Sequence, residues 1–398
     1  MDLANLISSN KQRTNELYGA TRFVLPKSSL MEAMYSDLSF ETQTTTNKFL
    51  PKSQKEINIE KIAPAPVIDE RPDRARQNLV EDGIAAKPHR NWYNYCVLTG
   101  HAAWVKAISV DQSNEFFVTG STDRMIKFWR LAERELTNTL TGHTGAVLDL
   151  CLSKQGFPYL YSVGDAKEVY NWDLNMNSII RRFFGHGSGV YCVDEHPSLP
   201  IIATGSRDST VRVWDLRTQS SVFTLEGHER TVFDVMFLQD ESHLVTASAD
   251  SRIRIWDLKT GKMSAVLTNH KKTIRKLSAH PRLFSFVSAS ADAIFQWNGQ
   301  DAKLYREFKS HEAVITGLAI NEDGVMVTSG DDGSLKFWDF DSGTCFQETS
   351  TVVQPGSLAA EKGILDISFD KTGTRLITCE MDKTVKLWRE VDENGKPY

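Results

Sequence analysis

From about residue 92 onward the chain alternates hydrophobic and polar positions in short bursts. β-Branched and aromatic runs are broken by Gly, Pro, Asn, Asp or Ser roughly every eight to twelve positions. The segment "GVYCVDEHPSLPIIATGSRDSTVRVWDLRTQSSVFTLEGH" divides into strands at 190–194, 201–205, 210–214 and 221–225, with "HPSLP" and "SRDS" as turns. Alternation of this kind, bounded by turn residues, predicts many antiparallel strands. Residues 1–90 read differently. They hold six of the twelve prolines and none of the nine tryptophans. Polar runs such as "ETQTTTNKFLPKSQKE" and "RPDRARQ" cannot bury enough apolar surface to offset ordering entropy. That composition predicts an irregular N-terminal arm, mostly extended or disordered with short helices. In "SLMEAMYSDL" (29–38), Leu30, Met31, Met34, Tyr35 and Leu38 would form an amphipathic face that orders against partners.

The strand pattern is itself periodic. Histidines stand at His101, His143, His186, His228, His270 and His311, spaced by 42, 43, 42, 42 and 41 residues, and Gly precedes the first four. Tryptophans keep step at Trp129, Trp172, Trp214, Trp256, Trp297, Trp338 and Trp388, four of them followed by Asp. A period of roughly 40–45 residues with these marks is the signature of a WD40 β-propeller, four strands per blade. Seven Trp-bearing third strands predict an all-β, seven-bladed WD40 propeller over 91–390, with a short tail at 391–398. The last blade is incomplete in chain order: strands fit 364–368, 375–379 and 384–389 only. The run "WYNYCVL" (92–98) lacks a partner before the first Gly-His. It is assigned as strand d of blade 7, which closes the ring and removes an exposed sheet edge.

Each blade repeats a polar quartet. It reads His101, Thr119, Asp123 and Trp129 in blade 1, and His186, Thr204, Asp208 and Trp214 in blade 3. In blade 4 it reads His228, Thr246, Asp250 and Trp256. A catalytic triad occurs once, at one site, so repetition predicts a structural hydrogen-bond network. Blade 2 has Ala166 where the Asp belongs, blade 5 is one residue short after Asp292, and blade 7 has Ala360 in place of His. These three blades are expected to rely on packing more than on the network.

The bulk properties narrow the function classes. A formal net charge of −5 over 398 residues gives no general drive toward nucleic acid or anionic membrane. Five cysteines without a C-x-x-C pair favour a reducing compartment, cytosolic or nuclear. The start lacks a signal-peptide apolar run, and nothing reads as a membrane span. Phosphate-loop, dinucleotide and zincin motifs are missing, so no cofactor, metal, small-molecule substrate or catalytic role is expected. Recognition is expected on the top face, carried by the loops before strand a and between strands b and c. Residues there without structural duty are Trp104, Lys106, Tyr191, Arg207, Arg230, Lys271, Lys272 and Arg275. Aromatics and arginines dominate interface energetics. The basic group in "NHKKTIRK" suits an acidic protein segment or an RNA phosphate backbone. The Trp338–Trp388 gap is 50 residues, and its excess falls in a top-face loop at 349–363 that includes Gln354, Pro355, Gly356, Ser357 and Leu358.

Several segments resemble one branch of the WD40 class, the pleiotropic regulator family. "YCVLTGHAAWVKAISVDQSNEFFVTGSTDRMIKFW" is similar to its first blade, and "LTNHKKTIRKLSAHPRLFSFVSASADAIFQW" to its fifth. "VVQPGSLAAEKGI" resembles its top-face insertion, and "RTNELYGA" a short stretch of its N-terminal arm. The resemblance implies a nuclear, non-catalytic scaffold subunit of the spliceosome, related to the NineTeen complex. It implies docking of splicing factors, including a helical-repeat scaffold and a Myb-type, cell-division-cycle-related subunit. A second reading is a substrate adaptor of a cullin-type ubiquitin ligase. "DSTVRVWDLR" resembles the Trp-Asp-x-Arg box of such adaptors, with Asp215 and Arg217 as its key residues.

Overall fold

The computed structural model of the chain describes residues 67–68, 89–239, 242–308, 311–358 and 360–391. The predicted arm helix at 29–38 and the tail at 392–398 lie outside the described residues. Among the described residues every regular element is a β-strand. They form seven antiparallel sheets of four strands, the blades of a propeller, and the blade 4 sheet carries one additional strand. In blade 3 the strands are Val190–Glu195, Ile201–Ser206, Val211–Asp215 and Ser221–Leu225. In blade 4 they are Val232–Phe237, His243–Ser248, Ile253–Asp257 and Lys262–Leu267. The additional strand is a two-residue segment, Val67–Ile68, which pairs in parallel with the outer edge of blade 4, Val67 opposite Val266.

The core lies between blades, because each sheet buries its inner strands on both faces. Leu225, Val211 and Val213 of blade 3 pack against Val232, Val235 and Trp256 of blade 4. Outer strands alternate: Ser221–Leu225 reads half-buried, exposed, half-buried, exposed, buried. Second and third strands are therefore buried almost throughout, while fourth strands such as Ser221–Leu225 and Leu304–Phe308 keep a period of two.

The ring closes on strand d of blade 7. Asn91–Thr99 pairs antiparallel with Thr384–Val391, from Asn91 opposite Val391 to Thr99 opposite Thr384. The other two strands of that blade are Ile364–Phe369 and Arg375–Glu380. Trp92 on the closing strand is buried and stacks on Phe337 of blade 6 at 5.8 Å, with Phe369 edge-on at 5.6 Å. The Gln347 side chain locks this wedge. Its oxygen accepts from Trp92 N at 2.6 Å and its amide donates to Trp92 O at 2.7 Å. The closing strand is thus bonded to blade 7 and packed into blade 6.

Two further features position the functional surface. Strand a of every blade carries a register shift around its second residue, a β-bulge. A bulge re-aims one side chain away from the regular pleat. Neighbouring hub strands are also sewn together by side chains. Asp149 accepts from Val193 N at 2.9 Å, Asp194 from Phe237 N at 3.0 Å and Asp234 from Leu277 N at 2.6 Å. Asp366 accepts from Ile108 N at 3.3 Å, across the seam between blades 7 and 1.

Candidate functional site

The repeated quartet forms one continuous chain of hydrogen bonds. In blade 1, Trp129 Nε1 lies 2.9 Å from Thr119 Oγ1, which lies 2.8 Å from His101 Nε2. His101 Nδ1 lies 2.9 Å from Asp123 Oδ2. An indole N–H can only donate and a carboxylate can only accept, so the proton order runs Trp to Thr to His to Asp. Blade 3 repeats this through Trp214, Thr204, His186 and Asp208 at 2.8, 2.8 and 3.1 Å. Blade 4 repeats it through Trp256, Thr246, His228 and Asp250 at 3.0, 2.8 and 2.9 Å. Burial lowers the His186 and His228 pKa values, so these imidazoles are neutral links. Burial works to raise Asp123, but the hydrogen bond from His101 and the N–H groups of Ala102 and Met125 hold it at about 2. The glycine before the histidine has a steric reason. Gly185 adopts φ 153°, and a Cβ there would meet the Trp214 ring at 3.2 Å.

Blades 2, 5 and 7, expected to rely on packing more than on the network, keep much of the polar chain or replace it. In blade 2, Ser162 takes the threonine place, 2.7 Å from Trp172 Nε1 and 2.6 Å from His143 Nε2. Only the last link is missing, and His143 Nδ1 is buried without a partner. Burial lowers the His143 pKa to about 4. In blade 5 the shortened spacing still leaves Asp292 3.5 Å from His270 Nδ1. Blade 7 replaces the histidine with an ion cluster. Thr378 accepts from Trp388 at 3.2 Å and donates to Glu380 at 3.2 Å. Lys386 Nζ lies 2.5 Å from Glu380 and 3.3 Å from Asp382, all three side chains at most 1% exposed. Thr351, at the start of the long loop, bonds both Lys386 and Glu380. Blade 6 inserts a serine into the chain: Ser334 Oγ lies 2.7 Å from His311 Nδ1 and donates to Asp332 at 2.6 Å.

On the top face the sequence-derived residues separate into groups. Arg230, Lys271, Lys272 and Arg275 share one cleft of about 570 Å³ between blades 4 and 5. Lys106, Tyr191 and Arg275 line a smaller cavity of about 130 Å³ at the mouth of the central channel. Lys106 and Tyr191 are not loop residues. They are the bulged second residues of the strands Val105–Val110 and Val190–Glu195, as Arg275 is of Ile274–Ala279. Nor are they all without structural duty: Phe233 packs edge-on to Tyr191 at 5.4 Å and lies under the Arg275 guanidinium at 5.1 Å. Leu148, Phe233, Thr316 and Leu365 complete the seven-residue bulge ring around the mouth. Pattern reading missed those four, although one rule, the second residue of each strand a, finds them all.

Arg207 is exposed on the b–c turn of blade 3 and lines neither cavity. Trp104, 41% exposed, belongs instead with the long loop. One carboxylate, Glu361, accepts from its Nε1 at 3.4 Å and from Leu358 N at 3.3 Å. Gln354 N donates to Asp382 at 3.2 Å, and Ser357 N to Gln354 O at 3.1 Å, so the loop folds back onto blade 7. Pro355, Gly356 and Leu358 are exposed.

Asp215 and Arg217 lie at the c–d turn of blade 3, on the face opposite the cationic cleft. Asp215 Oδ1 accepts from Arg217 N at 2.8 Å. The same turn-closing bond recurs from Asn175 N to Asp173 and from Lys259 N to Asp257 at 2.8 and 2.9 Å. The aspartate of Trp-Asp is therefore a turn former in several blades.

Charged side chains also meet in the channel interior, from the third residue of strand a in blades 2, 4, 5 and 7. Lys276 Nζ pairs with Asp366 at 3.1 Å. Burial raises Asp149 to about 7 and Asp234 to about 6, against the opposing pull of Lys276. Their hydrogen bonds to neighbouring strands give these carboxylates a structural role at the hub.

The chain matches two family models. One, described as "Nucleolar protein 10-like, N-terminal domain", covers residues 104–338, and the other, "WD domain, G-beta repeat", covers 352–389. It is 46% identical over 316 residues to pre-mRNA-splicing factor PRP46 of Eremothecium gossypii, 78% of this chain and 74% of that protein. It is 48% identical over 310 residues to protein pleiotropic regulator PRL2 of Arabidopsis thaliana, 78% of this chain and 64% of that protein. PRP46 of Kluyveromyces lactis is 45% identical over 307 residues, 77% of this chain and 70% of that protein. The chain therefore belongs to the WD40 β-propellers matched by the Nucleolar protein 10-like model and, within them, to the family of pre-mRNA-splicing factor PRP46 and the pleiotropic regulators.

Proposed function

We propose that this chain is a nuclear, non-catalytic scaffold subunit of the spliceosome that docks splicing factors on its propeller during pre-mRNA splicing. One observation carries the reading: 46% identity across 74% of a protein named as a pre-mRNA-splicing factor. The geometry supports it. The side chains that most resemble a hydrolase triad recur in blade after blade and are consumed in holding each sheet together. The top face, by contrast, gathers non-repeated cations and aromatics around a cleft and a channel mouth. The partners proposed are those of the NineTeen complex and its related proteins, a helical-repeat scaffold and a Myb-type subunit among them. The ligase-adaptor reading has weaker support, because its Asp215–Arg217 box repeats a turn found in other blades.

Affinity purification of the tagged full chain from nuclear extract tests the reading. Splicing proteins and small nuclear RNAs should co-purify. Recovery of a cullin and its propeller linker instead would replace this reading with the adaptor. Charge reversal at Lys271, Lys272 and Arg275 should weaken incorporation into the complex while leaving the melting temperature unchanged, and unaltered incorporation would remove those residues from the docking face.

A further inference from the structure

The cleft between blades 4 and 5 and the mouth of the central channel are joined, because Arg275 lines both. The joined surface runs from Arg230, Lys271 and Lys272 in the cleft, over Arg275 and Phe233, to Lys106 on the far side of the mouth. Among the described residues, none of these five cations forms an ion pair, in a chain whose net charge is −5. Unpaired cations gathered across an acidic protein form a local field that draws an anionic partner.

Lys106 and Arg275 come from blades 1 and 5 and reach the same small cavity through their bulges. Burial lowers the Lys106 pKa; the Asp165 carboxylate works against this, and the Arg275 charge adds a smaller push downward. The two cations therefore crowd one space. Beneath them lie Asp149 and Lys276, the latter paired with Asp366. A single carboxylate at the level of the bulge ring would relieve the repulsion between the cations, and Lys276 below offsets Asp149 in the same cavity.

We propose that the top face binds an acidic peptide segment of a partner protein, which lies along the blade 4–5 cleft and inserts one Asp or Glu carboxylate between Lys106 and Arg275 at the channel mouth. The peptide is favoured over RNA for two reasons. The mouth is the smaller space, at about 130 Å³, and suits a single carboxylate side chain. The cleft also carries Glu229 and Asp250, which interrupt its positive charge, so spaced carboxylates on a peptide suit it better than a uniform phosphate backbone. The apolar walls at Phe233 and Tyr191 suit aliphatic or aromatic flanks of the inserted residue.

This inference rests on the docking function proposed above, and its test is separable from that reading. The probes are a dye-labelled twelve-residue peptide with six Glu spaced by Gly and Ser, its all-Gln counterpart, and a dye-labelled heptauridylate RNA of matching charge. Binding to the intact full chain is read by fluorescence anisotropy. The Glu peptide should bind, the Gln peptide should not, and the RNA should bind more weakly than the Glu peptide. The double variant Lys106→Gln, Arg275→Gln should weaken the Glu peptide about tenfold or more, as loss of a paired charge does. The conservative pair Lys106→Arg, Arg275→Lys should keep it within about threefold. Equal binding of the Glu and Gln peptides, RNA binding as tight as the peptide, or an unaffected double variant would each overturn the proposal. Should splicing proteins co-purify while the peptide result is negative, only this inference fails. With the peptide bound and no splicing proteins recovered, it is the scaffold function that fails.

Discussion

In blade 4 the Thr246 hydroxyl stands between the indole of Trp256 and the imidazole of His228, with Asp250 at the end of the chain. In blade 7 the Thr378 hydroxyl stands between the indole of Trp388 and the carboxylate of Glu380, with Lys386 and Asp382 beyond it. The Trp–Thr bond is common to both, and so is an Asp–cation pair, Asp250 with Arg254 at 2.7 Å and Asp382 with Lys386 at 3.3 Å; the imidazole between them has been exchanged for the Glu380 carboxylate. Burial requires that each polar atom have a partner, and it leaves open which residue supplies one. The costs differ, however. Blade 4 holds a neutral imidazole and one carboxylate that Arg254 neutralises at 2.7 Å, whereas blade 7 holds one ammonium between two acids with almost no solvent. A buried charge stripped of its partner is far more costly than a broken neutral hydrogen bond. Blade 7 also takes its fourth strand from the other end of the propeller, so it bears both the seam and the ion cluster.

The largest effect should come from removing the seam. Deletion of 91–99 leaves Thr384–Val391 as an open edge and removes the Trp92 wedge. A domain's whole stability is only about 5–15 kcal/mol, so calorimetry should show the single cooperative transition lost or moved below growth temperature. An unchanged melt would mean that blade 7 stands without its borrowed strand.

Next comes the ion cluster. Lys386→Met should cost about 3–5 kcal/mol in chemical denaturation, because Glu380 and Asp382 are left buried and unpaired. His228→Ala in blade 4 should cost less, about 1–3 kcal/mol. Combining Lys386→Met with Glu380→Gln and Asp382→Asn should recover much of the loss. If the lysine variant costs no more than the histidine variant, the contrast between the two blades is wrong.

The blades should also respond to pH with opposite signs. Burial raises Glu380 to about 7 despite the pull of Lys386, against 4.5 as its ordinary value. Its contribution is then fully present below about pH 4.5 and is lost as pH rises through 7. His228 is shifted the other way, chiefly by burial. Its contribution is present at neutral pH and is lost as pH falls below about 6.5, where the unfolded chain takes up the proton. Glu380→Gln should therefore gain on the wild type between pH 5 and 8, by on the order of 1–3 kcal/mol. The deficit of a His228→Gln variant should shrink from pH 7 to 5. Parallel stability curves for wild type and Glu380→Gln would refute the assignment.

The smallest effect sharpens the comparison. Ala166→Asp in blade 2 should give His143 Nδ1 its missing partner and convert the blade to the pattern of blade 4. A gain of about 0.5–1.5 kcal/mol is expected, seen as a higher thermal midpoint. A loss would mean that the turn at Asp165–Lys167 cannot present the carboxylate.

Much of this was legible in the chain itself. Histidine and tryptophan periodicity sets the blade count, because each blade must bury one indole and satisfy its N–H. The strands of blade 3 lie within one residue of the positions read from the alternation. The long loop stands out by simple counting. Other features did not show. Lys386 sits two residues before Trp388, where other blades also carry a cation, Lys127, Arg212 or Arg254, so nothing in the sequence marked blade 7 as the site of a buried ion cluster. Lys106, Tyr191 and Arg275 read as interface residues, but their convergence with Phe233 on one channel mouth did not.

Local chemistry, repeated every 41–43 residues over the first six blades, was enough to dictate strands, turns and the quartet, since each of those depends on neighbours close in the chain or one blade away. Closure of the ring was different. It brought residues some 290 positions apart into register, pushed Trp92 against Phe337, and let seven bulges from seven blades meet around one hole. Those contacts come from a radial arrangement in three dimensions, and a linear period says which residues face the centre only after the circle is drawn.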